Sequence, residues 1–383
     1  MRILHLGKYY PPYKGGMETV LRDLCEAHAA RAEVIALVAN ESRSTLEEQR
    51  GGVRLIRVGR IGTPLSVPLV PSLRHYIRRC AADVIIHHEP NPVALLSYLT
   101  SGSRAAFVVW FHSDIVRQRV FYDLYRPFLR RALMRAAVIV VASPNHVVYT
   151  PVLQEYADKC CVVPYGVRPE QFALTPDVEA RAATIRRASS LPIVLFVGRF
   201  SYYKGLEHLV DAMRRVRARL ILVGSGPQEA VIRRQAERVP TPGCIEFTGE
   251  LPDAEMVAHL HACEVFVLPS VERSEAFGVV QLEAMACGKP VVSTEIPSGV
   301  PWVNQHGRTG LIVPPGDSES LTGAINALLE DPERRKHFGE AGRARVEATF
   351  TVTRMGQAFW DILLEARRGR VCAAYRYRPG KDA

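Results

Sequence analysis

Two glutamates eight positions apart, Glu275 and Glu283, enclose Ala276-Phe277-Gly278-Val279-Val280-Gln281-Leu282. One glycine and small apolar residues separate them, which reads as the opening turns of a helix. Gly288-Lys289-Pro290 stops that helix, and the β-branched run Val291-Val292-Ser293-Thr294 follows as a strand. A helix start leaves backbone N–H groups unpaired and carries partial positive charge. Gly278 lets a ligand approach that backbone closely, so the turn suits a phosphate. Glu275 precedes the helix and faces whatever the phosphate carries. Glu283 can accept hydrogen bonds from hydroxyls on the far side. A phosphate flanked by two hydroxyl-rich groups describes a nucleotide sugar. Taken alone, the stretch is equally a solvated helix with two surface carboxylates.

A second group supplies positive charge. In Val194-Leu195-Phe196-Val197-Gly198-Arg199-Phe200-Ser201-Tyr202-Tyr203-Lys204-Gly205 a strand ends in glycine and two cations follow, five positions apart. Arg199 could hold a diphosphate bidentately and Lys204 as a point charge. Leu222-Val223-Gly224-Ser225-Gly226-Pro227 and Phe247-Thr248-Gly249-Glu250-Leu251-Pro252 repeat the strand-to-turn form, as walls of a base pocket would. Near the N-terminus Gly15-Gly16 precedes an amphipathic run, a second place for close backbone approach to phosphate. It lacks the G-x-G-x-x-G spacing of a dinucleotide fingerprint. His87-His88-Glu89 and His112-Ser113-Asp114 end two further strands. His112 is the better functional candidate, with Asp114 two residues on; a metal site is the weaker reading.

The elements that must position these groups alternate. Apolar, Val/Ile-rich runs at 2–7, 33–39, 53–58, 83–88, 105–111, 136–142 and 160–163 form one series. Runs at 193–198, 219–223, 244–248, 265–269, 290–294 and 310–313 form another. Apolar on both faces, they read as parallel strands covered by helices: an α/β, doubly wound architecture in two Rossmann-like domains. Boundaries fall at 1–167 and 168–350, with Pro164-Tyr165-Gly166-Val167 as the hinge and 371–383 as a tail. Segment 41–52 reads as a polar loop that touches an acceptor, and 61–71 as an irregular apolar loop. From Arg117 to Arg135, six arginines interleave with Phe121, Tyr122, Leu124, Tyr125, Phe128, Leu129 and Leu133. This suits either an anionic membrane surface or a surface helix with its apolar stripe in the core. Pro127 is expected to break or bend it.

The totals set bounds. At 383 residues the chain exceeds one ordinary core. A net charge of +10, from 49 basic and 39 acidic residues, favours an anionic partner. No nucleic-acid-binding module accompanies it. Eight scattered cysteines without a C-x-x-C pair support neither a zinc site nor a disulfide framework, and point to a reducing cytoplasm. The opening apolar run is too short for a signal peptide, and no stretch could span a bilayer.

Together, Gly15-Gly16, Gly198-Arg199, Lys204-Gly205, Gly224-Ser225-Gly226, Gly249 and the Glu275–Glu283 stretch resemble the retaining glycosyltransferases of family 4, in matching order from residue 2 to about 350. The resemblance implies a GT-B fold, with two Rossmann-like domains facing a central cleft that holds the donor. A last helix, within 351–370, crosses back to the first domain. It also implies residue roles. Arg199 and Lys204 neutralise the departing nucleoside diphosphate, and Gly16 gives it a backbone N–H. Glu275 binds sugar hydroxyls, Glu283 the ribose, and Phe277, Gly278 and Val279 bring the helix start to the phosphate. His112 resembles the family's histidine near the sugar.

No D-x-D is present, so cationic side chains are expected to replace a metal, and no cofactor beyond the nucleotide-sugar co-substrate is expected. Retaining hydrolases use paired carboxyls about 5 Å apart, one as nucleophile. The family is thought instead to react on the leaving-group face, so Glu275 is not read as a nucleophile. Leu4-His5-Leu6-Gly7-Lys8-Tyr9-Tyr10-Pro11-Pro12 is similar to bacterial mannosyltransferases of exopolysaccharide or O-antigen assembly. That implies GDP-mannose, a polyprenyl-diphosphate-linked or other glycan acceptor, and work at the inner face of the cell membrane. The alternatives are a UDP-sugar donor, an epimerase or phosphorylase on a similar fold, or a non-catalytic nucleotide-sugar binder.

Overall fold

The computed structural model describes residues 1–13, 15–64, 67–114, 119–240 and 245–380. The chain divides into two compact units, Met1–Tyr165 with Val352–Ala383, and Gly166–Thr351.

The first unit carries β1 (Arg2–Leu6), β2 (Glu33–Ala39), β3 (Leu46–Arg50), β4 (Val53–Val58), β5 (Val84–Glu89), β6 (Ala106–Phe111), β7 (Val138–Val141) and β8 (Cys160–Val162). Their order is β3-β4-β2-β1-β5-β6-β7-β8. Every neighbouring pair is parallel except β3–β4. Strand alternation sends Leu4, Leu6, Ile35, Leu37, Val109 and Phe111 into one apolar layer. The opposite face of β2 packs Val34, Ala36 and Val38 on Leu21 and Cys25 of the helix Gly16–Ala29.

Two expectations are corrected here. Residues 46–50 form a strand within the segment read as a loop. β3 is exposed along its whole length and held to β4 by backbone pairing and by the Glu47–Arg54 and Glu48–Arg57 ion pairs. With no buried face it shows no apolar alternation. Pro127 neither ends nor interrupts its helix, which runs Arg119–Arg135. Arg117 lies outside the described residues.

The helix Val352–Arg367 belongs to the first unit. Its Gly356 lies where a Cβ would come 2.8 Å from Ala27 Cβ. The imidazole Nε2–H of His28 donates to Gly356 O at 2.9 Å, and Phe359 packs on Trp110 at 4.8 Å between ring centroids. Within the stretch read as a tail, residues 375 and 377 pair with β8. Val162 N donates to Tyr375 O and Tyr377 N to Cys160 O, each at 2.8 Å. The open edge of β8 leaves backbone groups that this segment satisfies.

The second unit carries β9 (Ile193–Val197), β10 (Arg219–Val223), β11 (Ile245–Gly249), β12 (Val265–Leu268), β13 (Val291–Thr294) and β14 (Gly310–Val313). All are parallel, in the order β11-β10-β9-β12-β13-β14. Cys244, where the sequence pattern starts β11, lies outside the described residues. In chain order this is 3-2-1-4-5-6, a doubly wound sheet that reverses direction between β9 and β12. In such sheets ligands bind beyond the carboxyl ends of strands at the reversal. Those ends lead into Gly198-Arg199 and Pro269-Ser270. In the first unit the reversal lies between β1 and β5, which lead into Gly7-Lys8 and Pro90-Asn91.

Candidate active site

In the second unit, the loop after β9 and the loop after β12 meet. Gly205 makes this possible: its φ is +62°, and a Cβ there would overlap Pro269 O. Val271 N donates to Tyr203 O at 2.8 Å across the same contact. The two loops thereby bring Lys204 Nζ within 2.5 Å of Glu275 Oε2. Ser270 Oγ donates to the same oxygen at 3.2 Å, and Thr294 Oγ1 donates to Ser270 O. Both members of the ion pair are buried, at 8% and 9% exposure. Burial alone would depress the Lys204 ammonium, but the Glu275 carboxylate beside it holds it above its ordinary value.

Glu283 sits on the helix Val279–Ala286, partly buried. Burial pushes its carboxyl up to about 7, Asp253 adds to the rise, and Lys204 opposes it. Lys204 thus lies in the field of both predicted glutamates. Arg199 is exposed on the loop after β9 and has no carboxylate partner among the described residues.

Gly278 caps the helix in the left-handed region, with φ +71°. A Cβ there would come 2.6 Å from Leu268 Cδ2 and 2.7 Å from Gln281 Nε2. The buried Gln281 amide instead donates to Phe277 O at 3.1 Å, closing the turn. Val279 opens the helix, half-buried. The Phe277 ring points away from this turn into an aromatic group with Trp302 and Phe350, so its side chain anchors the loop.

Other glycines of this unit pack closely. At Gly198, Gly224 and Gly226 the space a side chain would take is filled from within the unit. Gly224 abuts Gly198 O, Gly226 abuts the backbone of Phe200, and Gly198 faces the Phe196 ring and Lys204. They let the β9 and β10 loops pack, and Phe200 N donates to Ser225 O at 2.8 Å. Glu250 is exposed and accepts from Ser225 Oγ at 2.9 Å, with half-buried Leu251 next to it.

In the first unit, Gly15 caps the helix Gly16–Ala29. The Glu18 carboxylate folds back beside Gly15, whereas no atom within 4 Å would meet a side chain at Gly16. Gly16 is exposed at this turn. Burial raises the Glu18 carboxyl, against its own backbone N–H and Lys8.

The His112 ring is turned into the first unit. It is 2% exposed, and both ring nitrogens have partners: Nε2 meets His88 Nδ1 at 2.9 Å, and Nδ1 meets Tyr165 Oη at 2.6 Å. Its ring is held inside the unit with no nitrogen to spare. Burial lowers it to about 3, assisted by His146 and His87.

Sequence reasoning missed Gly205 and Ser270 as supports of the charged group, Asp253 as the neighbour that disfavours charge on Glu283, and His88 and Tyr165 as partners of His112. Ser270 lies two residues past the end of β12, which was the available signal. Among the described residues no group of three or more His, Cys, Asp or Glu is arranged to hold a metal ion. The described cysteines are buried free thiols.

Matches to known families follow this division of the chain. Residues 178–345 match the family described as glycosyl transferases group 1, and residues 14–171 match glycosyltransferase family 4. The chain belongs to the family-4 glycosyltransferases and has their GT-B type of fold. It is 35% identical to O-antigen chain mannosyltransferase C of Escherichia coli, covering 96% of this chain and 100% of that one. It is 34% identical to the D-rhamnosyltransferase WbpZ of Pseudomonas aeruginosa, covering 92% of each. Among solved structures, sucrose-phosphate synthase from Thermosynechococcus elongatus superposes with a TM-score of 0.79 at 25% identity, over 95% of this chain and 99% of that one.

Proposed function

We propose that this glycosyltransferase moves mannose from GDP-mannose, with retention of anomeric configuration, onto a lipid-linked or polysaccharide acceptor of a bacterial surface glycan. The buried Lys204–Glu275 pair carries this reading. It sets a cation and a carboxylate side by side at the sheet reversal of the second unit, where a diphosphate and a sugar both need partners. The names of the relatives at 34% and 35% identity, a rhamnosyltransferase and a mannosyltransferase, support a mannose-type donor.

In this reading the glycosidic C–O bond to the diphosphate breaks and negative charge grows on the leaving oxygen. Lys204 and the exposed Arg199 neutralise it, with the helix start at Gly278–Val279. Glu275 exchanges part of its hold on Lys204 for sugar hydroxyls, and Glu283 takes the ribose. Gly16 offers a backbone N–H to phosphate, and Glu250 and Leu251 border the base. His112 acts near the sugar through its place at the end of β6, since its ring nitrogens are engaged. The leaving phosphate takes the acceptor proton, so no general base is required of the protein.

The membrane-facing element is the helix Arg119–Arg135. Tyr125, Leu129, Ala132 and Leu133 bury its inner stripe. Leu124, Phe128, Arg131 and Arg135, at i, i+4, i+7 and i+11, share an outer one. Leu124 is 71% exposed and Phe128 46%, an arrangement that suits an anionic lipid surface.

The deciding experiment is a thermal-shift and turnover screen of GDP, UDP and their sugars, with and without chelator. Stabilisation by GDP and GDP-mannose that survives chelator, with GDP released when acceptor is added, is the expected result. A response to UDP-sugars alone replaces the donor, and binding without turnover removes the enzymatic reading.

A further inference from the structure

The first unit holds a buried line of imidazoles that the charge chemistry above does not use. β1, β5 and β6 are neighbours, and His5, His88 and His112 follow one another across them. His5 Nδ1 lies 3.1 Å from His88 Nε2, and His88 Nδ1 lies 2.9 Å from His112 Nε2. His112 Nδ1 lies 2.6 Å from Oη of Tyr165, the last residue before the chain enters the second unit. The His88 and His112 rings are stacked at 5.1 Å and 12°. His146 donates from Nε2 to the His112 backbone carbonyl at 3.3 Å and pairs through Nδ1 with Ser143 Oγ at 3.0 Å. The polar side chains of this line are at most 6% exposed.

Proton counting restricts the line. Three links need three donors, and each neutral imidazole supplies one N–H, so the links must run in one direction. If Tyr165 donates inward, His5 ends with a buried Nε2–H that finds no acceptor among the described residues. If the direction is outward, His5 keeps an unused lone pair at Nε2 and every N–H is satisfied. Orphaned buried N–H groups are the rarer defect, so the outward direction is favoured. His112 then carries its proton on Nδ1, toward Tyr165, and accepts from His88 at Nε2. This tautomer is assigned from the network.

We propose that His88 is a positioning residue for sugar transfer. Its two hydrogen bonds set the tautomer and ring plane of His112, and through them the backbone at the carboxyl end of β6, where Ser113 and Asp114 follow. The inference rests on the proposed place of His112 near the donor sugar. A positioned loop matters because small misplacements around a reacting centre cost up to about 100-fold in rate.

The test compares His88→Leu, His88→Gln and Tyr165→Phe with the wild-type enzyme for kcat, donor KM and thermal midpoint, together with the imidazole ¹⁵N spectrum of His112. His88→Leu should lower kcat roughly 10- to 100-fold while donor KM changes little. His88→Gln can still donate to His112 Nε2 and should recover much of the loss. Tyr165→Phe added to His88→Leu should cost little more, because the line acts as a unit. His112 should show its proton on Nδ1 in the wild type and lose that preference in His88→Leu.

An unchanged kcat, a loss that merely tracks the thermal midpoint with Gln no better than Leu, or a wild-type proton on Nε2 overturns the proposal. If His88→Leu does not fold, the Gln and Phe variants and the wild-type spectrum decide. Loss of turnover in Lys204→Ala but not in the His88 variants ends this inference alone. Absence of turnover with every nucleotide sugar ends the functional reading, and the spectrum still reports the tautomer.

Discussion

Lys204 and Glu275 stand 71 positions apart in the sequence, yet their charged atoms lie 2.5 Å apart in the fold. Each satisfies the other. The pair is consequently both a structural contact and, in the proposed function, the group that a diphosphate sugar must divide.

Lys204→Ala should lower turnover about 100- to 1,000-fold, the usual effect of losing one donor to developing negative charge. It should also lower the thermal midpoint, because Glu275 is left buried without its cation. Lys204→Ala combined with Glu275→Gln should restore the midpoint but not the rate. Calorimetry and nucleoside diphosphate release measure the two separately; recovery of both together would argue against a catalytic role.

Glu283 gives a pH prediction with a defined sign. Its carboxyl is raised from an ordinary 4.5 to about 7. The ionised form is therefore disfavoured by folding, and the cost grows as pH rises from about 4.5 through 7. Glu283→Gln should raise the midpoint at pH 8, by about 2–4 °C per kcal/mol recovered, and leave it unchanged at pH 4. The same variant should weaken nucleotide diphosphate binding at pH 8, read by calorimetric titration. Equal midpoints at both pH values would remove the buried-carboxyl account.

Gly278→Ala meets two obstacles at once, a left-handed φ and atoms at 2.6 and 2.7 Å. The backbone penalty alone is about 1–2 kcal/mol. The helix start should shift, so nucleotide affinity should fall more than the thermal midpoint does. An unaltered affinity would separate the turn from the phosphate.

Arg126, Arg131 and Arg135 are exposed on the helix that shows Leu124 and Phe128 to solvent. Changing all three to Gln should weaken partition onto phosphatidylglycerol vesicles on the order of 100-fold at low salt, at about 1 kcal/mol per arginine. The difference should shrink as salt rises. Cosedimentation that ignores both the substitutions and the salt would rule out this helix as the membrane-facing element.

Gly356→Val would force a side chain toward Ala27, where even a Cβ comes within 2.8 Å. Overpacking of this kind costs about 1–3 kcal/mol. The helix Val352–Arg367 should loosen from the first unit, read as faster amide exchange at Phe359 and Ile362. Unchanged protection would mean the helix is seated by other contacts.

The parallel sheets were legible because strands covered on both faces must be apolar throughout, and short Val/Ile runs alternating with helical patterns have few other uses. The Glu275–Glu283 stretch and the Arg199–Lys204 loop were legible for a similar reason: their constraints are local, a glycine at a turn and charges next to strand ends. β3 was not, because an exposed edge strand is held by backbone bonds and ion pairs that leave no periodic mark. The segment after residue 370 was not, because what orders it is the open edge of β8, more than 200 positions earlier.

Local sequence thus determined the kind of fold and marked the residues proposed to meet a phosphate. Tertiary structure alone decided that Lys204 is paired with Glu275, that Gly224 and Gly226 face protein backbone while Gly198 faces Phe196 and Lys204, and that the ring of His112 is turned inward to His88 and Tyr165. These outcomes depend on which strands become neighbours and which loops then collide, and no spacing along the chain encodes that distance.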